Sequence, residues 1–553
     1  KIYGNEVAII PYVMPGFDLA KLASEIHDQA EEKAKSNSKE LKGMVLIKHG
    51  IFSFGKTAEE SYLRMIELVN KAEKVLPRKI QLDLYSPRKY DSNMKNLDEF
   101  IPFLRGLISK KISKYSNQKR CVFDIRSSKN LIEFSNLQNI QELSERGVAT
   151  PDHVIRTKAK PLILKKLPLN LLRQKCEKVL LDQWFEDVRI KLDKYIEDYI
   201  SYFDKNNLAK GKVKKRLDPL PRVLIIPGFG LIGIGDCKKS ASLVADISQT
   251  WIETLLSAES IGKYSPVNSE DTFDLEYWSL EQAKLGGKKL PPLAGNIVCI
   301  TGAGGVIGLE IAKEFCKNGA EIICLDKDYN SAKKSAETCG GSAIAISCDV
   351  TSKNDISDAF NEIIYTFGGI DILISNAGTA IQGNMYGIED AQFESSLKIN
   401  LLAHHYLSQK TLKILKSQDY LNHHKNEYLG GQLLFNVSKQ ALNPGKGFGA
   451  YGIAKSALLA LMKQYAIEEG EFNIRSNCVN ADRIRSGLLN SEMIKSRSIA
   501  RGITEDDYMS GNLLKSEVRA KDVANAFLSL SLMERTTGAI VTVDGGNVAA
   551  MPR

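Results

Sequence analysis

The segment Asn296–Phe315, NIVCITGAGGVIGLEIAKEF, limits most narrowly what this chain can fold into. A short apolar run enters a glycine-rich turn, and apolar residues at helical spacing come after it. Strand, tight turn and helix start in that order bring free backbone N–H groups and the positive end of a helix dipole to one point, where a pyrophosphate can sit. Gly302, Gly304, Gly305 and Gly308 let the backbone approach such a ligand, with Ile307 among them. A glycine pattern alone is weak; its place between a strand and a helix gives it weight.

Downstream of this helix the chain repeats the rhythm. EIICLD and DILISNAG read as strands, and LEIAKEFCKNG and ISDAFNEIIYTFG as helices. Strands alternating with helices of this length predict an α/β fold, a doubly wound parallel sheet of Rossmann type, over residues 295–553. The second strand ends at Asp326, where a carboxylate suits ribose hydroxyls and repels a 2′-phosphate, which favours NAD over NADP. Asp349 and Val350 follow the third strand, and Asn376, Ala377 and Gly378 the fourth. Ile484, after the sixth strand, offers its backbone to a carboxamide.

Ser438 precedes Tyr451 by thirteen residues, and Lys455 lies one helical turn beyond Tyr451. A phenol titrates near 10, too high for a base at neutral pH, and an adjacent ammonium stabilises the phenolate. Lowering it by about 2 to 3 units takes roughly 3 to 4 kcal/mol. Tyr451 then exchanges a proton with an alcohol or carbonyl oxygen, Ser438 holds that oxygen, and Asn400 anchors a water leading from Lys455 to solvent.

Taken in order, these elements resemble the short-chain dehydrogenase/reductase family over residues 294–553. The resemblance implies a catalytic tetrad at Asn400, Ser438, Tyr451 and Lys455. Two departures stand out. Val306 occupies the place of the middle glycine of the usual turn, and Ala481-Asp482 stands where the family often has Pro-Gly.

A chain of 553 residues is too long for one core. Residues 1–85 read as short strands and helices, 86–265 as a mainly helical middle region, and 266–294 as a polar connector. Within the middle region, RGVATPDHVIRTK reads as a loop that could bring Arg146, His153, Arg156 and Lys158 near a phosphate. A second glycine pattern, Gly228-x-Gly230-x-x-Gly233, follows an apolar run. No strand ending in an acid comes after it, so the Gly228–Gly235 stretch is expected to be a structural turn and not a second dinucleotide site. Nine cysteines without C-x-x-C spacing suggest reduced thiols and a cytoplasmic setting. No apolar run is long enough for a membrane span. The net charge of +9 is spread without interleaved aromatics, so no nucleic-acid partner is expected. The start, Lys-Ile-Tyr-Gly, suggests a fragment or processed product.

His49 follows an apolar strand in MVLIKHGIFSFG. With AIIPYVMPG, RGVATPDHVIRTK and DLEYWSLEQAKL, this stretch resembles the bifunctional class II aldolase/short-chain dehydrogenase proteins linked to rhamnose catabolism. The resemblance implies a zinc aldolase cleaving a ketose 1-phosphate, followed by a dehydrogenase acting on lactaldehyde, and His49 matches one zinc ligand. The family's His-x-His pair would lie upstream of residue 1, so neither zinc nor aldolase activity is expected of this chain alone; zinc belongs to a longer one. A homodimer or homotetramer is implied. A polyol or sugar dehydrogenase with a non-catalytic front module is the alternative.

Overall fold

The computed structural model describes residues 2–75, 96–168, 177–284, 290–421 and 428–547. The boundary expected at residue 85 lies outside them. The N-terminal region runs β1 (Val7–Ile10), α1 (Phe17–Ser36), β2 (Gly43–Leu46), β3 (Gly50–Ser53) and α2 (Ala58–Glu73). Its strands form a small sheet in the order β1-β2-β3, over a core of Ala8, Ile10, Ala34, Leu41 and Leu46. The Thr57 hydroxyl starts α2 by accepting from the Glu60 N–H.

The middle region comprises α3 (Leu97–Tyr115), β4 (Val122–Arg126), α4 (Lys129–Ser135), α5 (Ile140–Glu145), α6 (Val154–Thr157), β5 (Leu162–Ile163), α7 (Lys178–Ala209), β6 (Val223–Ile226), β7 (Gly230–Gly235), α8 (Lys238–Ile261), α9 (Ser269–Glu276) and α10 (Ser279–Ala283). It holds a four-stranded sheet in the order β4-β7-β6-β5. The second glycine pattern is the antiparallel hairpin of β6 and β7. Gly233 has no side chain because a Cβ there would meet the Ala241 carbonyl of α8 at 2.5 Å, so its role is close packing.

The structure corrects two expectations in this region. The polar stretch after residue 266 is no connector. It folds as α9 and α10, with Phe273 and Tyr277 buried against Phe203 of α7 and Glu276 buried beside Tyr199 and Lys158. Glu270 faces outward, whereas Glu276 and Glu281 are buried beside the aromatic residues, which composition alone does not show. Nor is RGVATPDHVIRTK a loop: it contains a turn of 3-10 helix and α6. Its basic residues do not gather at one point. Arg146 pairs with Glu142 and Glu259, Arg156 donates to the Lys284 carbonyl, and Lys158 is buried against Tyr199 and Glu276.

The C-terminal region is the expected doubly wound sheet. It runs β8 (Ile297–Thr301), α11 (Val306–Lys317), β9 (Glu321–Asp326), α12 (Tyr329–Cys339), β10 (Ile344–Ser347), α13 (Lys353–Phe367), β11 (Ile372–Ser375), α14 (Asp390–Leu397), α15 (Ala403–Gln418), β12 (Gly431–Ser438), α16 (Gly449–Glu469), β13 (Ile474–Ala481), α17 (Ser491–Ile499), α18 (Glu505–Met509), α19 (Ala520–Leu532) and β14 (Ile540–Val543). Seven parallel strands lie in the order β10-β9-β8-β11-β12-β13-β14. The order reverses between β8 and β11, and a crevice opens there at the carboxyl ends of the strands.

One face of this sheet is covered by α11 and α19. The other, under α13, α15 and α16, shares a single core with α3, α7 and the middle sheet, from Phe100 and Phe103 through Phe185 to Phe360 and Phe435. Helix α3 crosses α15 so closely that a Cβ on Gly106 would lie 1.8 Å from the Gln418 carbonyl oxygen. At the edge of this junction Asp371, 1% exposed, accepts hydrogen bonds from Arg105 at 2.6 and 2.9 Å and from Arg120 at 2.6 Å. It also takes the Ile297 N–H at 2.8 Å. The second guanidinium donor of Arg105 reaches the Gly295 carbonyl, and its Nε the Cys121 carbonyl. Among the described residues no helix is long and apolar enough to cross a membrane.

Candidate active site

The glycine turn ends β8 as the sequence predicts. Gly302 has a φ of +64°, in the left-handed region, and a Cβ on Gly308 would stand 2.4 Å from the Gly302 carbonyl oxygen. Helix α11 begins at Val306, so the N–H groups of Val306, Ile307 and Gly308 point out of its first turn without intrahelical partners. Gly304 lies against Ser331 and gives its N–H to Asp326 at 3.0 Å. Asp326 thus stands at the mouth of the turn, on the end of β9, where its carboxylate also takes the Asp328 N–H.

The neighbouring strand ends complete a groove. Asp349 bonds the backbone and hydroxyl of Thr351, and Val350 is buried. The Thr301 hydroxyl accepts from the N–H groups of both Asn376 and Ala377, at 2.9 and 3.0 Å, and ties the end of β8 to the end of β11. The Asn376 side chain donates to the Thr301 carbonyl and accepts from Asn436. Sequence reasoning missed both Thr301 and Asn436; a polar residue ending an apolar strand was the available signal. The bare turn, the free N–H groups and the acid at the next strand end together fit a dinucleotide. Ile484 has a buried side chain, and its carbonyl accepts from Ser486.

Ser438 ends β12, and Tyr451 and Lys455 lie on the buried face of α16. The Lys455 ammonium donates to the Asn436 carbonyl at 2.9 Å and lies 5.8 Å from the centre of the Tyr451 ring. Burial holds Lys455 down to about 7. Burial also pushes the Tyr451 phenol up, while its hydrogen bond with Ser438 works the other way. Burial is thus the largest influence on both groups and opposes the lowering of Tyr451 that the spacing predicts.

Asn400 sits in a π-helical turn between α14 and α15, a departure often found at functional sites. Both ends of its amide are engaged by Thr379, whose N–H and carbonyl it binds at 3.2 and 2.9 Å. It positions the segment after β11 beside Gly378, where an added Cβ would lie 3.6 Å from the Lys455 ammonium. One turn on, His404 is buried with Nδ1 2.6 Å from the Ser375 hydroxyl. Burial, reinforced by Lys455, keeps it well below the usual histidine range, so it stays neutral. Its position four residues after Asn400 was the signal that it faces this site.

His49 lies elsewhere. Its Nε2 donates to the Val13 carbonyl at 2.9 Å, and its ring stacks on Tyr12. Among the described residues no three His, Cys, Asp or Glu side chains are placed to hold a metal.

Three family models match the chain. One described as the Class II Aldolase and Adducin N-terminal domain covers residues 1–76, and Aldolase class II, second domain, covers 95–285. Enoyl-(Acyl carrier protein) reductase covers 302–547. The uncharacterized oxidoreductase YuxG of Bacillus subtilis is 28% identical over 574 residues, spanning 100% of this chain and 78% of that protein. A short-chain type dehydrogenase/reductase of Sinorhizobium fredii, y4mP, is 30% identical over 264 residues, 46% of this chain and 98% of its own length. Among solved structures, a 3-ketoacyl-(acyl-carrier-protein) reductase from Brucella melitensis in complex with NADH overlaps 46% of this chain and 98% of its own at 24% identity and a TM-score of 0.41. The C-terminal half of this chain belongs to the short-chain dehydrogenase/reductase family, and it is carried behind two class II aldolase domains.

Proposed function

We propose that the chain is an NAD-dependent dehydrogenase of a small hydroxylated aldehyde or alcohol, lactaldehyde among them, serving the breakdown of a deoxysugar such as rhamnose. The observation that carries this reading is the placement of Ser438, Tyr451 and Lys455 at the carboxyl end of β12, beside the glycine turn and Asp326. Bound NAD supplies the hydride acceptor. The turn at Gly302–Gly308 would hold its pyrophosphate, Asp326 its ribose, and Asn376–Gly378 the floor beneath it.

The remaining chemistry belongs to the chain. Tyr451 takes the alcohol proton in oxidation and returns it in reduction. Ser438 holds the reacting oxygen and the phenol on one line. Lys455, held by the Asn436 carbonyl, offsets the charge left on the phenol. Asn400 keeps Thr379 and Gly378 against the lysine, and the neutral His404 adds no competing charge there. Self-association into two or four copies in the cytoplasm is part of the same reading.

A second reading has its own support. The core that the middle region shares with α13 and α15 suits a front half that serves as a structural buttress for a polyol or sugar dehydrogenase. A panel of lactaldehyde, polyols and sugars with NAD and NADP separates the two. In either case Tyr451→Phe lowers kcat by about 100-fold or more while NAD binding persists. Unchanged turnover in that variant would refute the assignment.

A further inference from the structure

The candidate catalytic end of the sheet gathers Lys439, Arg483, Arg497 and Arg501. Ser438 and Ala481 are register partners at the ends of β12 and β13. Lys439 and Asp482, one residue further along each chain, join across the gap at 2.8 Å. The same Asp482 oxygen takes the Asn547 amide at 2.6 Å and lies 3.6 Å from Arg483. Burial holds Lys439 below the usual lysine range, and Arg483 and Arg501 push it the same way against the pull of Asp482. Asp482 is thus the carboxylate that Lys439 and Arg483 share, while α18 brings Glu505, Asp506 and Asp507 in its first turn.

Helices α17 and α18 close over this corner on a small core of Ile494, Tyr508 and Met509. Arg483 and Arg501 both stack on the Tyr508 ring, at 4.8 and 5.2 Å. Arg497 of α17 is half-buried and reaches the catalytic wall. Its guanidinium stacks at 4.5 Å on Phe448, whose ring packs edge-on against the ring of Tyr451. Among the described residues its one side-chain hydrogen bond is to the Gln382 amide oxygen, at 2.8 Å, on the segment after β11. Among the described residues it has no carboxylate partner. A guanidinium carries five donors in a rigid fork that matches carboxylate or phosphate oxygens, and the aromatic face beneath fixes its plane. Here most of that fork is unused, one aromatic ring away from the phenol that handles the proton.

We propose that Arg497, backed by the field of Lys439, Arg483 and Arg501, binds an anionic group on the substrate. The molecule oxidised or reduced at Tyr451 is then a hydroxy acid or a phosphate ester of a polyol, which takes the place of neutral lactaldehyde as the preferred substrate of the same dehydrogenase site. The inference rests on the dehydrogenase reading of the same site. Asp482, just past β13, holds Lys439 in place.

The test uses matched pairs with NAD on the full chain: L-lactate against L-lactamide, 3-hydroxybutyrate against its amide, and glycerol 3-phosphate against glycerol. The charged member of at least one pair should have the higher kcat/KM, by about tenfold, and added salt should shrink that ratio. The acid pairs and the phosphate pair separate a carboxylate from a phosphate. Arg497→Met should bring the charged-to-neutral ratio close to one, and Arg497→Lys should restore part of it. Should no pair turn over, calorimetric binding of the same pairs to the NADH-loaded enzyme reads the same ratio. Equal use or binding of charged and neutral members, or a preference that survives Arg497→Met, overturns the proposal. Turnover that no longer depends on Tyr451 would instead overturn the dehydrogenase reading beneath it.

Discussion

Replacing Asp371 with asparagine tests the junction between the middle region and the dehydrogenase sheet. The carboxylate is 1% exposed and compensates Arg105, also 1% exposed, and Arg120, 8% exposed. Asparagine keeps the volume and one acceptor oxygen, but it removes the negative charge that both guanidiniums bond. Stripping one partner from a buried ion pair costs about 3 to 5 kcal/mol, because the remaining charge stays desolvated. Summing the individual charge-assisted bonds, at about 1.5 to 3 kcal/mol each, would exceed that range, since they act as one unit and do not add. With a urea dependence of about 3 kcal/mol per molar, the midpoint should fall by roughly 1 M or more. Two probes make the experiment local. All three tryptophans, Trp184, Trp251 and Trp278, lie in the middle region, whereas activity reports the dehydrogenase sheet. In the wild type both signals should be lost together, because one core spans the junction. In Asp371→Asn both should be lost earlier, and the triple variant Arg105→Met/Arg120→Met/Asp371→Leu should recover most of the loss. A single variant within about 1 kcal/mol of wild type would refute the reasoning, because no uncompensated buried charge could then be present.

The same geometry sets further outcomes. Gly106→Ala should destabilise the chain by about 2 kcal/mol or more, measured by urea unfolding, since the new methyl would drive α3 off the Gln418 carbonyl. Gly308→Ala should weaken NAD binding at least about tenfold by fluorescence titration, with stability less affected, because its Cβ would strike the turn at Gly302. Asp371 lies below the usual carboxylate range through its two arginines, despite burial, and Lys455 lies at about 7 through burial. The Asp371 contribution is present above the unfolded carboxylate value and lost as pH falls through the lower folded one. The Lys455 effect has the same sign in a higher pH window. Between about 7 and its unfolded value the unfolded chain binds the extra proton, so stability gained from Lys455 rises with pH across that window. Unfolding curves of wild type and Lys455→Met should therefore converge toward alkaline pH, and a constant difference would count against this titration.

The parts legible in the sequence are those whose physics is local. A glycine turn between a strand and a helix needs a left-handed residue and bare backbone, and both are written in neighbouring letters. Tyr451 and Lys455 share a face because four residues make one helical turn. Asp326 and Asn376 were legible because strand ends in a parallel sheet all open on one crevice. Only tertiary structure could show the rest. Asp371 meets Arg105 across 266 residues of chain, and no spacing rule links them. The helices after residue 266 looked polar because their buried side is made by contact with α7, not by composition. Arg497 reads as one more surface cation until α17 folds over Phe448. The shifts at Tyr451 and Lys455 follow burial, which depends on everything packed around them. Sequence alone determined which residue types sit within a turn or a helical step of one another. The tertiary structure decided which charges are desolvated and which meet, because dielectric environment and long-range contact are properties of the packed whole.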